Sequence, residues 1–125
     1  MADSTGTEAP ASLREEMIAA ATRYLEAIVS HDPSDVPLAE HAWRIEQGHR
    51  DASSADEIRA NLRSEVMDVV VGLRPVRWIV EESTHQAVAF YECDLVGGGI
   101  CWLGERFTVR DGLIEEIEAV FTIES

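Results

Sequence analysis

No lysine occurs in the chain: all ten basic residues are arginine. A Schiff-base mechanism through a side-chain amine is therefore excluded. Positive charge is scarce altogether, with 10 basic against 24 acidic residues. The formal charge of −14 repels phosphate backbones and anionic headgroups, so neither nucleic acid nor a membrane is expected as a partner. Long apolar runs are missing too. No window approaches the roughly 18 consecutive apolar residues of a membrane span, and the opening MADSTGTEAPA has neither a basic n-region nor an apolar h-region. The reading is a cytoplasmic protein. Cysteine is limited to Cys93 and Cys101, which in a reduced compartment read as buried thiols rather than a bridge or a metal site, though a hairpin could set them opposite each other. Histidines 31, 41, 49 and 85 fall at element ends or loops without compact ligand spacing, so no metal is expected. A glycine-rich phosphate loop is absent as well: VGGG at 96–99 lies between strand-like runs, with no helix after it to hold an anion.

What is present is enough for one core. A chain of 125 residues with 46% hydrophobic content matches one domain able to enclose a pocket. Residues 1–11 are small, polar and aperiodic, and read as a disordered N-terminal tail, leaving residues 12–125 as a single domain. Ser12 with Glu15 forms a capping box, after which Leu13, Met17, Ala20, Ala21, Tyr24 and Ile28 recur on one helical face until HDP at 31–33. SDVPLAE has room for a turn or two of a short second helix. HAWRIEQG, 41–48, alternates as a first strand, with Ala42, Arg44 and Glu46 on one face, and its glycine ends it. A second capping box, Ser54 with Glu57, opens a helix along Ile58, Leu62 and Val66. After a valine-rich connection come VRWIVEE, QAVAFYECDL, ICWLGERFTVR and LIEEIEAVFTI, strand-like runs joined by turns such as Asp111-Gly112. Helices in the first half and strands in the second predict an α+β fold, with N-terminal helices packed on a curved antiparallel sheet.

Within CWLGERF the period of two sets Glu105 on the same face as Cys101, Leu103 and Phe107. A glutamate in an apolar stripe is a neutralised acid in a binding cavity, half of a buried ion pair, or a misread strand end. Full desolvation raises carboxyl pKa values by up to about 3 to 5 units, enough to make Glu105 a hydrogen-bond donor. Alternatively Arg44 or another arginine reaches it and keeps it charged.

TRYLEAIVSHDPSDVPLAEHA and FTVRDGLIEEIE, and the element order around them, resemble the nuclear-transport-factor-2-like superfamily, the cone-shaped fold of ketosteroid isomerases, SnoaL-type polyketide cyclases and scytalone dehydratase. The resemblance covers about residues 13–123. It implies a pocket between helices and concave sheet for a small apolar molecule, a homodimer packed through the sheets, and no obligatory cofactor. The ketosteroid isomerase pattern implies catalytic roles for three positions. Tyr24 matches the tyrosine that donates to a developing oxyanion, Glu46 stands where the family's general-base aspartate ends the first strand, and Glu105 is closest to its protonated second oxyanion donor. Two of the three are longer than the family's residue by a methylene.

Other residues complete the candidate list. Arg44 shares a strand face with Glu46 and pairs with it or orients a ligand. His49 follows the first strand at the expected pocket mouth, where it either meets a polar ligand or is solvated. Trp78 and Trp102, with Trp43, either line the pocket or fill core and dimer contact. Function is thus left between acid/base chemistry of the isomerase or cyclase type, a non-catalytic binding module, and a dimeric accessory domain with a filled interior.

Overall fold

A computed structural model describes residues 12–124, and the tail expected over residues 1–11 lies outside them. Helix α1, Leu13–Ser30, begins with the expected capping box, Ser12 and Glu15 exchanging side-chain and backbone hydrogen bonds at 2.9 and 3.1 Å. It buries Met17, Ala20, Ala21, Tyr24 and Ile28 of the predicted stripe, while Leu13 in its first turn is exposed. His31 closes it in the left-handed region at φ 63°, before Pro33 can obstruct a further turn.

The short second helix does not form. Pro33 and Pro37 lack the N–H groups a helix needs, and Ile114 N–H donates to the Pro37 carbonyl at 2.8 Å, so the segment is drawn into the sheet. Strand β1, Leu38–Glu46, accordingly starts three residues before the expected His41. It turns back through Gln47 (φ 50°) and Gly48 (φ 84°), the paired left-handed residues of a tight hairpin, into a four-residue strand β2, His49–Ala52. This second strand is not among the elements expected from the sequence, where the first strand ends at Gly48 and His49 follows it. Helix α2, Ala55–Arg63, is N-capped by Ser54, but Glu57 returns its hydrogen bond to Ser53 N–H at 2.7 Å rather than to the cap itself.

A 3₁₀ turn, Glu65–Val69, leads into β3, Val70–Glu81, followed by β4, Gln86–Leu95, β5, Ile100–Arg110, and β6, Leu113–Glu124. The valine-rich connection thus opens β3, because Val70 pairs with Leu95. The curved, unclosed sheet has the order β2-β1-β6-β5-β4-β3. It is antiparallel except where β1 runs parallel to β6, with Arg44 beside Ile117 and Glu46 beside Ala119. Gln47 fastens that junction, its amide donating to the Phe121 carbonyl at 3.0 Å and accepting from Phe121 N–H at 2.9 Å.

The core lies between the helices and the inner face of the sheet. Met17, Ile58, Leu62, Phe107, Ile114 and Ile117 are all but fully buried there, and each large apolar side chain so enclosed contributes about 1.5–3 kcal/mol. Tyr24 meets Phe107 edge-on, ring centroids 5.6 Å apart. Glu105 is as buried as these, at 0% exposure. Its neighbours across the strands are Ala89 and Ala119, whose small side chains leave room for a glutamate inside the sheet's concave face.

Candidate functional site

A cavity of about 430 Å³ opens between α1, α2, the 3₁₀ turn and the inner face of the sheet, a size suited to a drug-sized molecule. Its polar groups gather around one guanidinium. Arg44, on β1, donates from Nε to the Tyr24 hydroxyl at 2.9 Å, while its Nη1 pairs with Glu46 Oε1 at 2.9 Å and with Asp51 of β2. The hairpin explains the grouping. Alternation along β1 turns Arg44 and Glu46 inward together, and the tight turn brings Asp51 back alongside, since Arg44 pairs with Ala52 across the hairpin.

Glu105 lies behind this cluster rather than in the cavity wall. Its Oε1 accepts from the Tyr91 hydroxyl, and its Oε2 stands 3.8 Å from Arg44 Nη2 without a hydrogen-bond partner among the described residues. Tyr91 lines the cavity in front of it. Burial pushes the Glu105 carboxyl above its ordinary range, against the pull of Arg44 and the Tyr91 hydrogen bond. Burial likewise raises the Tyr24 hydroxyl, with Arg44 pulling it down, and raises that of Tyr91, with the adjoining Glu105 pushing it further. Burial works against the Arg44 charge, but its neighbours, the Asp51 and Glu46 carboxylates among them, outweigh that cost.

Apart from Asn61 and Ser64 at the end of α2, the rest of the wall is largely apolar. Leu103 and Phe121 pair across β5 and β6, and one inward step farther along the same strands Cys101 pairs with Ile123. Cys101 also faces Cys93 across β4, and both are free thiols. Burial pushes Cys93 up to about 12 and raises Cys101 as well. At the mouth, Val66, Val69 and Ile123 are exposed by 75%, 51% and 57% while still lining the cavity. Among the described residues, no group of three or more His, Cys, Asp or Glu side chains is arranged to hold a metal ion, and no helix is long and apolar enough to cross a membrane.

Of the residues singled out from the sequence, Tyr24, Arg44 and Glu46 come together at the cavity and Glu105 adjoins them from behind. His49, Trp78 and Trp102 are not brought there. His49 is an exposed residue opposite Glu46 at the hairpin end. Trp78 is half-buried against Phe107, in a separate hollow beneath α1 with Leu25, Leu73 and Val76. Trp102 alternates with Cys101 and Leu103 and so falls on the outer face of the sheet, 41% exposed, its indole N–H donating to Glu124 at 3.3 Å. Trp43 is likewise outside the cavity, its ring under the Arg50 guanidinium at 4.9 Å. The tryptophans therefore leave the interior unfilled. The sequence reading missed Asp51 and Tyr91. For Tyr91 the signal is the inward alternation Ala87, Ala89, Tyr91, Cys93, whereas Asp51 depends on a strand too short and polar to be recognised.

Residues 10–121 match a family model described as a domain of unknown function, DUF8021. No curated protein matches the sequence. Among solved structures, a protein of unknown function with a cystatin-like fold from Methylobium petroleophilum superposes with a TM-score of 0.74 at 16% identity, over 93% of this chain and 82% of that one. An NTF-2-like protein of unknown function from Burkholderia xenovorans gives 0.65 at 16% identity, over 87% and 84%. SalBIII, described as an epoxide hydrolase/cyclase-like enzyme in pyran ring formation in the polyether salinomycin, gives 0.74 at 12% identity, over 87% and 92%.

Proposed function

The chain belongs to the DUF8021 family and has the nuclear-transport-factor-2-like fold; on that premise we propose that it binds a largely apolar small molecule in its cavity and moves a proton at the polar end. The observation that carries this is the convergence of Tyr24, Arg44, Glu46 and Asp51 on one side of a largely apolar cavity. In this reading the Glu46 carboxylate takes a proton from a carbon next to a ligand carbonyl. Tyr24, kept neutral by burial, donates its hydroxyl to the enolate oxygen, and Glu46 returns the proton to another carbon. Glu105 supports the site from behind as a proton-bearing acid attached to Tyr91. SalBIII, with a similar fold, is described as cyclase-like, which agrees with acid/base chemistry in such a cavity without extending its substrate to this chain.

The test is exchange with solvent deuterium. Incubated with an enolisable polycyclic ketone such as 2-decalone in D₂O, the protein should speed α-deuteration seen by NMR, and Glu46→Gln should lower that rate by about 10²-fold or more. One observation favours a second reading, a non-catalytic binding module: the Glu46 carboxylate is already engaged by Arg44 at 2.9 Å. Saturable binding of the ketone with no exchange above buffer would select it.

The same proposal includes a homodimer. Phe90, Trp102 and Val120 lie exposed together on the outer face around Gly104, an apolar patch of the kind that marks a protein contact. The paired free thiols of Cys93 and Cys101 support a reducing, cytoplasmic setting.

A further inference from the structure

We infer that the ligand carries a basic amine, and that the cavity discriminates against anionic molecules of the same apolar shape. This rests on the reading above that the cavity is a ligand site, and it narrows the chemical class. Arg44 is the only cationic side chain in the cavity wall among the described residues, and its donors are already directed at protein groups. Nε goes to Tyr24 and Nη1 to Glu46 and Asp51, while Nη2 faces Glu105 at 3.8 Å, beyond hydrogen-bond reach. An incoming carboxylate, sulfate or phosphate would compete with Glu46 and Asp51 for this one cation, and would have to approach them as a like charge.

The charge balance points the same way. One guanidinium stands against the carboxylates of Glu46 and Asp51, so the polar end has an excess of one negative charge even with a proton on Glu105, and a larger excess without it. A bound ammonium would bring that end to neutrality. Hydrogen-bonding capacity agrees with charge. Each carboxylate uses one oxygen on Arg44 and keeps another for a donor. The fully buried Glu105 Oε2, set just behind them, has no hydrogen-bond partner among the described residues. Tyr24 accepts from Arg44, which leaves its own O–H to meet a ligand acceptor. An amine directed at Asp51, with its hydrocarbon body along Leu103 and Phe121 toward Ile123, satisfies both the polar end and the apolar wall.

Three probes with one ring system separate the possibilities: 2-(2-naphthyl)ethylamine, 2-(2-naphthyl)ethanol and 2-naphthylacetate, titrated calorimetrically at low and at high salt. The amine should bind more tightly than the alcohol by about tenfold, the value of one charge-assisted hydrogen bond, and the carboxylate more weakly than the alcohol by a similar factor. High salt, which screens the diffuse negative field of the whole protein, should leave most of the amine preference in place. Asp51→Asn should bring the amine's affinity down to that of the alcohol in the same variant, and Glu46→Gln gives an independent version of the same test should the first variant fail to fold. If the alcohol binds saturably but the amine has no advantage, or the carboxylate binds as well as the amine, the amine inference is overturned while the ligand-site reading stands. If none of the three binds saturably, that reading fails and the inference with it.

Discussion

The Tyr91 hydroxyl donates to Glu105 inside the core, and no other hydrogen bond reaches that carboxylate among the described residues. The pair is enclosed by apolar side chains and two alanines, with the nearest guanidinium beyond hydrogen-bond reach at 3.8 Å. Burial therefore dominates and raises the Glu105 pKa. Above the ordinary carboxyl value of about 4.3, the unfolded chain gives up this proton while the folded chain retains it. The unfolded state then binds fewer protons, and stability falls as pH rises, until the folded carboxyl also ionises. Glu105→Gln, which cannot ionise, should remove this part of the pH dependence. Denaturant melts of both proteins from acid to neutral pH should give a difference that shifts in favour of the variant as pH rises through that window, by at most about 1.4 kcal/mol per pH unit. Parallel curves would show that Glu105 has no raised pKa.

Arg44 joins Tyr24, Glu46 and Asp51 and faces Glu105. Arg44→Met should cost about 3–5 kcal/mol, because it leaves the carboxylates facing one another without a cation. Arg44→Lys should recover only part of the loss, since an ammonium cannot reproduce the planar fork that reaches several partners at once. Urea unfolding at neutral pH measures both, and a loss below about 1 kcal/mol for the methionine variant would mean that the network acts as a solvated surface cluster.

The outer sheet face makes a prediction about assembly. Val120 is 56% exposed beside Phe90 and Trp102, so Val120→Glu should leave the fold unchanged while setting like charges against each other across a two-fold contact. Sedimentation at micromolar concentration should find a dimer for the natural chain and a monomer for the variant, with the same far-ultraviolet circular dichroism. A monomer in both cases removes the proposed dimer.

The facing thiols should be slow to react. With Cys93 pushed up to about 12 by burial, its thiolate fraction at pH 8 is roughly one part in 10⁴. Modification by a disulfide reagent such as DTNB should therefore be slow in the folded protein and complete on unfolding. Rapid release of two equivalents under native conditions would show that the cavity wall opens at this position.

How far the sequence alone reveals this molecule depends on how local each determinant is. The Ser12–Glu15 cap and the Asp111-Gly112 turn are set by neighbours in the chain, and both form as read. Glu105 stood out because a period of two is visible without knowing which strands pair. Its partner Tyr91 follows the same rule on β4, but a tyrosine among alanines looks like ordinary core. Asp51 was harder to find, since it enters the site through a hairpin at Gln47-Gly48 that continues into four mostly polar residues. The parallel alignment of β1 with β6 has no local signature at all. Nor does residue type decide a face, which is why Trp78 and Trp102, attractive as aromatic lining, lie elsewhere.

The alignment of β1 with β6 also orders events in time. Arg44 and Glu46 ride on a strand that joins the sheet, apart from its own short hairpin, only through β6, which follows all the other elements of the described residues. A polypeptide emerging from the ribosome can form its helices and begin its meander while this hairpin remains undocked. Partial products cut short before β6 would therefore lack an assembled cavity, which is complete only once β6 has been made.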